Sequence, residues 1–213
     1  MTRILAVADE VDEKLEGDKL PALRPDVVLS CGDLPFDYLE YLVSRLDVPL
    51  LYVPGNHDPS LKPADPTWAP LQADAPVPGP RGCENIDGRV VEAAGLRVAG
   101  LGGSVRYRRG ANQYTQGEMR RRALNLELRM RLSGVRHRDR RLDILVTHAP
   151  PFGIASAQDA AHSGFVAFER VIRSFGPLLA VYGHVHPYWR SQTERTIGPT
   201  RIINAVPSRL IEV

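Results

Sequence analysis

The sequence predicts an α/β architecture built on mixed β-sheets, and three observations carry that prediction. Five short runs of Val, Ile and Leu recur along the 213 residues, each ending in Gly, Asp, Asn or His. Helical patterns lie between them, and strands alternating with helices build a partly parallel sheet. One further segment reads as an antiparallel pair, so both strand directions must coexist. At 43% hydrophobic, a chain of this length can bury a full core, and residues 1–213 are read as one domain.

In chain order, "RILAVAD" (residues 3–9) is the first strand, running apolar until it meets Asp9 and the acidic Glu10, Asp12 and Glu13. "DVVLSCGD" is the second, ending at Asp33. "PFDYLEYLVSRL", Pro35 to Leu46, has Pro at its first turn and apolar residues at helical spacing. The third strand, "PLLYVPGNHD", is followed by residues 59 to 88, which are crowded with proline and carry no period. A loop that long is usually functional or mobile. "GRVVEAAGLRVAGLGG", residues 88 to 103, gives two antiparallel strands joined near Ala94 and Gly95. A helix over "TQGEMRRRALNLELRMRL", the strand "LDILVTH", a helix over "GFVAFERVIRSFG" and the strand "LLAVYGHVH" complete the pattern. No repeat at a solenoid period is present, and no low-complexity tail.

Composition excludes several classes. The two cysteines, Cys31 and Cys83, have neither zinc-like spacing nor the makings of a disulfide framework, so a reducing cytoplasm is the expected compartment. Asp9, Glu10 and Asp12 interrupt any apolar signal core, and no window approaches the roughly 20 apolar residues of a membrane span. A net charge of +2 is too mild to argue for nucleic acid.

Function is signalled by where the donor residues fall. Asp9, Asp33, Asn56 with His57, His148, and His184 with His186 all stand at the carboxyl ends of the five predicted strands, where open α/β sheets bind ligands. Of six histidines only His137 and His162 lie elsewhere. Each residue alone has a plainer role. Asp9 and Asp33 would cap helices beginning near Val11 and Pro35, and Asn56 after Gly55 would serve a turn. In "GHVH" an extended backbone would set two imidazoles side by side. Five strands each ending in an oxygen or nitrogen donor is not what capping predicts.

"GD" at Gly32 and Asp33, "GNHD" at Gly55 to Asp58, "VTHAPP" at Val146 to Pro151 and "GHVH" at Gly183 to His186 occur in the order that marks the calcineurin-like metallophosphoesterases. The chain resembles the compact bacterial branch of that superfamily over nearly its whole length. The resemblance implies a four-layer αββα sandwich of two mixed β-sheets flanked by helices. It also implies a two-metal centre that hydrolyses phosphate mono- or diesters with water as nucleophile. Carried over by motif, Asp33 bridges two ions, Asp9 and His186 hold the first, and Asn56, His148 and His184 hold the second. His57 sits near the leaving group as acid or hydrogen-bond donor, with Asp58 completing the motif. Two cations roughly 3.5–4 Å apart activate water and neutralise phosphoryl charge. Mixed nitrogen and oxygen donors suit manganese, with iron, zinc or cobalt as alternatives, better than calcium. The family's first motif, usually Asp-x-His, stands here as Asp9, Glu10, Val11. The first ion then lacks one imidazole and must take water, or a carboxylate from Glu10 or Asp12, so two unequal sites are expected.

Other signals are weaker. "AGLGGS" fails as a dinucleotide motif, since Val105 stands where the third glycine belongs. Arginine concentrates between residues 105 and 141, a pattern that fits a solvated helix face better than a nucleic-acid rim. Arg106 and Arg108 lie closest to a strand end and are the phosphate candidates. His162 is read either as a substrate contact or as a surface cap, Tyr188 and Trp189 as pocket wall or core, and Cys31 as a buried thiol outside the ligand set. A nuclease, or a non-catalytic scaffold on a degenerate fold, is the competing function, and nothing in the sequence fixes an oligomeric state.

Overall fold

Two β-sheets face each other across a core made by every second residue of their strands. The computed structural model of the chain describes residues 1–17, 19–61, 79–136, 142–154, 161–186 and 194–213, with backbone alone over 133–136. In the first sheet, β1 (Arg3–Val7), β2 (Val27–Ser30), β3 (Leu50–Tyr52) and β4 (Cys83–Asn85) run parallel in that order. The second contains β5 (Val90–Ala93) antiparallel to β6 (Leu96–Leu101), then β9 (Ile144–Thr147) and β10 (Leu179–Tyr182) parallel to β6. Between β6 and β9 in the chain, β7 (Ser104–Val105) and β8 (Gln113–Tyr114) form a separate parallel pair. The chain's final strands close both sheets: β11 (Glu194–Ile197) runs antiparallel to β12 (Thr200–Asn204), β12 lies parallel to β10, and β13 (Ser208–Glu212) returns antiparallel to β1. Both sheets are therefore mixed, as expected.

The period of two along each strand explains the layers. Ile4 and Ala6 of β1, Val27 and Leu29 of β2, Val98, Ile144, Val146, Leu179 and Val181 share the cluster between the sheets. The alternate residues face outward. Leu5, Val7, Val28 and Leu50 pack under α1 (Lys19–Ala22) and α2 (Phe36–Leu46), meeting Leu20, Leu39 and Leu42. On the far side Ala99, Leu101, Leu145 and Ala180 meet α3 (Gln116–Arg136) and α4 (Val166–Phe175) through Met119, Leu126, Phe168 and Ile172. A strand covered on both faces has to be continuously apolar, which is why these runs read as they do. The result is a helix–sheet–sheet–helix sandwich.

Local chemistry sets the boundaries. Ala94 (φ 50°) and Gly95 (φ 76°) make the two-residue turn between β5 and β6, where both central residues need positive φ. Gly176 (φ 53°) ends α4, its N–H bonding back to the Ile172 carbonyl. Two expectations are corrected. Pro35 is the residue before α2 and not within its first turn, and β4 forms inside the stretch read as loop, because Cys83–Asn85 pair with Leu50–Tyr52. Residues 62–78 of that stretch lie outside the described residues. No helix among the described residues is long and apolar enough to cross a membrane.

Candidate metal centre

The carboxyl ends of β1, β2, β3, β9 and β10 deliver their donor residues to one place. Asp9, Asp33, His148 and His184 each bring a ligand atom to within 4.8 Å of the others. The backbone is bent to achieve this. Asp9 (φ 61°), Asp33 (φ 57°) and His184 (φ 65°) are left-handed, a conformation that costs non-glycine residues energy and persists only where its surroundings enforce it. The motif glycines make room, since a Cβ on Gly55 would collide with the Asp33 carboxylate and one on Gly183 with that of Asp9.

Hydrogen bonding then fixes which atoms are free. His148 is fully buried, and its Nδ1–H donates to the Cys31 carbonyl at 2.8 Å. Its Nε2 lies 3.0 Å from Asn56 Oδ1, 3.1 Å from His184 Nδ1 and 3.3 Å from Asp33 Oδ2. The Asn56 amide nitrogen donates to the Tyr107 hydroxyl at 3.3 Å, which turns Oδ1 inward. His184 Nε2 donates to the Ala161 carbonyl at 3.2 Å, leaving its Nδ1 lone pair toward His148. Acceptor atoms from four residues thus converge at a buried point, an arrangement that is costly unless a cation or a shared proton sits among them. The donor set fits a divalent transition ion.

Titration follows the same geometry. Burial would push the His148 imidazole down, but the hydrogen-bonded Asp33 and the nearby Asp9 outweigh it and hold the group up at about 9. His184 is pushed down to about 3 by burial and by the neighbouring His148 and His162. Burial also works to raise Asp33, yet the hydrogen bond and charge of His148 and the His57 N–H bring it below the ordinary carboxylate range. Asp9 is raised by burial, with His148 and the His184 N–H opposing. Without a metal ion, then, the proton on His148 Nε2 is the charge that the acceptors share.

Neither aspartate caps a helix. Asp9 Oδ2 accepts the His184 N–H at 2.7 Å, and Asp33 Oδ1 accepts the His57 N–H at 2.8 Å. Asp12 is the residue that caps the short 3-10 turn Glu13–Leu15, through the Lys14 N–H. A cavity of about 590 Å³ opens over the cluster, lined by Asp9, Asp33, Asn56, Tyr107, His162, His184, His186 and the exposed His57. Asp58 stands behind it, one carboxylate oxygen accepting the N–H groups of Asp33 (3.0 Å) and Gly55 (2.7 Å), so it ties two motif loops together. His162 stacks on His184 with ring centroids 4.8 Å apart.

Two sequence expectations change. The "GHVH" segment is not extended, because His184 is left-handed. His184 therefore enters the cluster, whereas His186 turns outward and places Nδ1 2.6 Å from Glu10 Oε1. Arg106, expected near substrate, is engaged by both Glu118 carboxylate oxygens and the Gln113 carbonyl. Val11, the position of the missing imidazole, lines a neighbouring cleft with Tyr38 and Tyr41. Arg108 sits 5.3 Å from the centroid of the Tyr107 ring. Tyr107 went unread in the sequence, and its place between two arginines was the sole hint. Elsewhere in the Arg-rich region Arg122 pairs with Asp87 and Arg129 donates to the Gly88 carbonyl, as a structural helix face would. His137, Tyr188 and Trp189 lie outside the described residues.

The family profile of the calcineurin-like phosphoesterases matches residues 3–188. Among solved structures, TT1561 of Thermus thermophilus is 19% identical, with 96% of this chain and 88% of that one covered at a TM-score of 0.56. A second is 18% identical over 96% of this chain and 90% of its own, at a TM-score of 0.55. Both likenesses concern the fold. No curated protein matches the chain.

Proposed function

The chain belongs to the calcineurin-like phosphoesterase family, and from that premise we propose that it hydrolyses a phosphate mono- or diester at a two-metal centre, with water as the nucleophile. The observation that carries this reading is the set of lone pairs from Asn56, His184 and Asp33 that converge on Nε2 of His148. Asn56, His148 and His184 would hold an inner ion, Asp9 and His186 an outer one, and Asp33 would serve both. Manganese suits these donors, with iron, zinc or cobalt as alternatives. When bound, the ions activate water and neutralise phosphoryl charge.

The protein's own groups do the rest. His57 is exposed on the cavity wall, and its backbone is pinned by Asp33, so its imidazole delivers a proton or hydrogen bond to the departing oxygen. Asp58 holds that loop in place without touching substrate. His162 and Tyr107 line the cavity where the ester's remaining atoms would lie, Arg108 stands beside the Tyr107 ring, and Arg106 is committed to Glu118. A nuclease reading gains little, because arginines such as Arg106 and Arg122 are paired within the fold.

The test is hydrolysis of aryl phosphate mono- and diesters before and after chelation, with bound metal measured on the purified chain. Activity that chelator abolishes and Mn²⁺ restores is expected. Inactivity on both ester classes with every divalent ion, together with no bound metal, would favour a scaffold role.

A further inference from the structure

The two halves of the centre are finished differently. The inner atoms are oriented by partners within the protein: the buried Cys31 for His148, Ala161 for His184 and the exposed Tyr107 for Asn56. On the outer side the family's second donor is missing, since residue 11 is Val and its side chain belongs to the cleft of Tyr38 and Tyr41. Two carboxylates follow Asp9 closely enough to compensate. Asp12 is already engaged, one oxygen by the Lys14 N–H at 3.0 Å and the other by the Ser208 hydroxyl at 2.5 Å. Glu10 remains, and its Oε1 is 2.6 Å from His186 Nδ1.

We infer that Glu10 is the positioning residue of the outer ion, holding His186 in the tautomer that leaves Nε2 as its open ligand atom. This rests on the proposed two-metal reading. A carboxylate accepts only, so the 2.6 Å contact places the His186 proton on Nδ1 and the lone pair on Nε2. As an ion pair the contact is weak, because the two side chains are 41% and 55% exposed. Its value is orientation of the opposite nitrogen, the service that a carboxylate behind a ligating histidine provides. The chain turns left-handed at Asp9, after which Glu10 meets His186 and Val11 lines the other cleft. The outer site thus loses an imidazole and keeps a better-oriented one.

The experiment is calorimetric titration of the metal-free full chain with Mn²⁺, alongside ¹⁵N spectra of the His186 ring without metal. The unmodified chain should show a tight and a weak step, with the His186 proton on Nδ1. Glu10→Ala should weaken the weak step by roughly 10–100-fold, leave the tight step unchanged, and move the His186 proton toward Nε2. Glu10→Gln, which still accepts from Nδ1–H, should fall between. Three results would overturn the inference: a single step in the unmodified chain, a weak step indifferent to Glu10→Ala, or loss of that step with the His186 tautomer unchanged. No turnover is measured, so a chain that behaves as expected here yet hydrolyses no ester would overturn the proposed function alone.

Discussion

The inner and outer halves of the candidate centre differ in how they are built. On the inner side His148 is 0% and His184 6% exposed, and each ring nitrogen has an assigned partner inside the protein. On the outer side His186 and Glu10 meet in contact with water. Burial makes several lone pairs around one shared proton expensive, so the inner half has strong need of a cation, whereas the outer half can satisfy itself with solvent. Unequal affinities follow from burial as much as from donor count.

The largest expected effect comes where the halves meet. Asp33→Asn removes the carboxylate that the proposed centre shares between its two ions and should weaken both by at least about a hundredfold, as expected when a buried charge loses its counter-charge. Metal content by mass spectrometry checks it, and retention of either ion at full occupancy would separate the halves from Asp33. Next is pH. The inner ion must displace the His148 proton, held at about 9 by Asp33 and Asp9 against burial, so inner affinity should rise about tenfold per pH unit until that value is reached. In the metal-free chain the same group is raised above its ordinary 6.5, so its stabilisation is complete below pH 6.5 and is lost as pH rises through about 9. Thermal denaturation of chelator-treated protein should show that decline, and added Mn²⁺ should erase it.

Smaller changes sharpen the contrast. His57→Ala should lower turnover by roughly 10²–10⁴-fold with both ions retained, because in the proposed mechanism His57 assists the leaving group and holds no metal. Parallel loss of metal would place it among the ligands. Val11→His should change least. Its side chain lines the Tyr38–Tyr41 cleft, so the outer affinity measured by titration should stay as it was. A gain would show that the segment can turn.

Much of this was legible in the sequence, for physical reasons. Strands buried on two faces must be apolar throughout, so "ILAV", "VVL" and "ILV" announce themselves, and the polar residue ending each run marks the sheet edge that holds the site. The finer placements were not legible, because they depend on three left-handed residues. Side-chain alternation assumes an extended backbone. Positive φ at His184 separates it from His186, and positive φ at Asp9 breaks the alternation that an extended backbone would impose on the residues after it. Tyr107 escaped for another reason: it reaches Asn56 from 51 positions away, through the connection between β7 and β8, and no local pattern encodes such a contact. Arg106 looked free because its partner, Glu118, lies on a different element.

The central claim is that buried lone pairs around His148 Nε2 form a cation site. Anomalous scattering from Mn²⁺-soaked crystals tests it most directly. The account predicts a strong peak touching Asn56 Oδ1, His148 Nε2, His184 Nδ1 and an Asp33 oxygen, with a weaker second peak beside Asp9 and His186. Absence of any peak inside that cluster at saturating Mn²⁺, with His148 still hydrogen-bonded to Asp33, would contradict it.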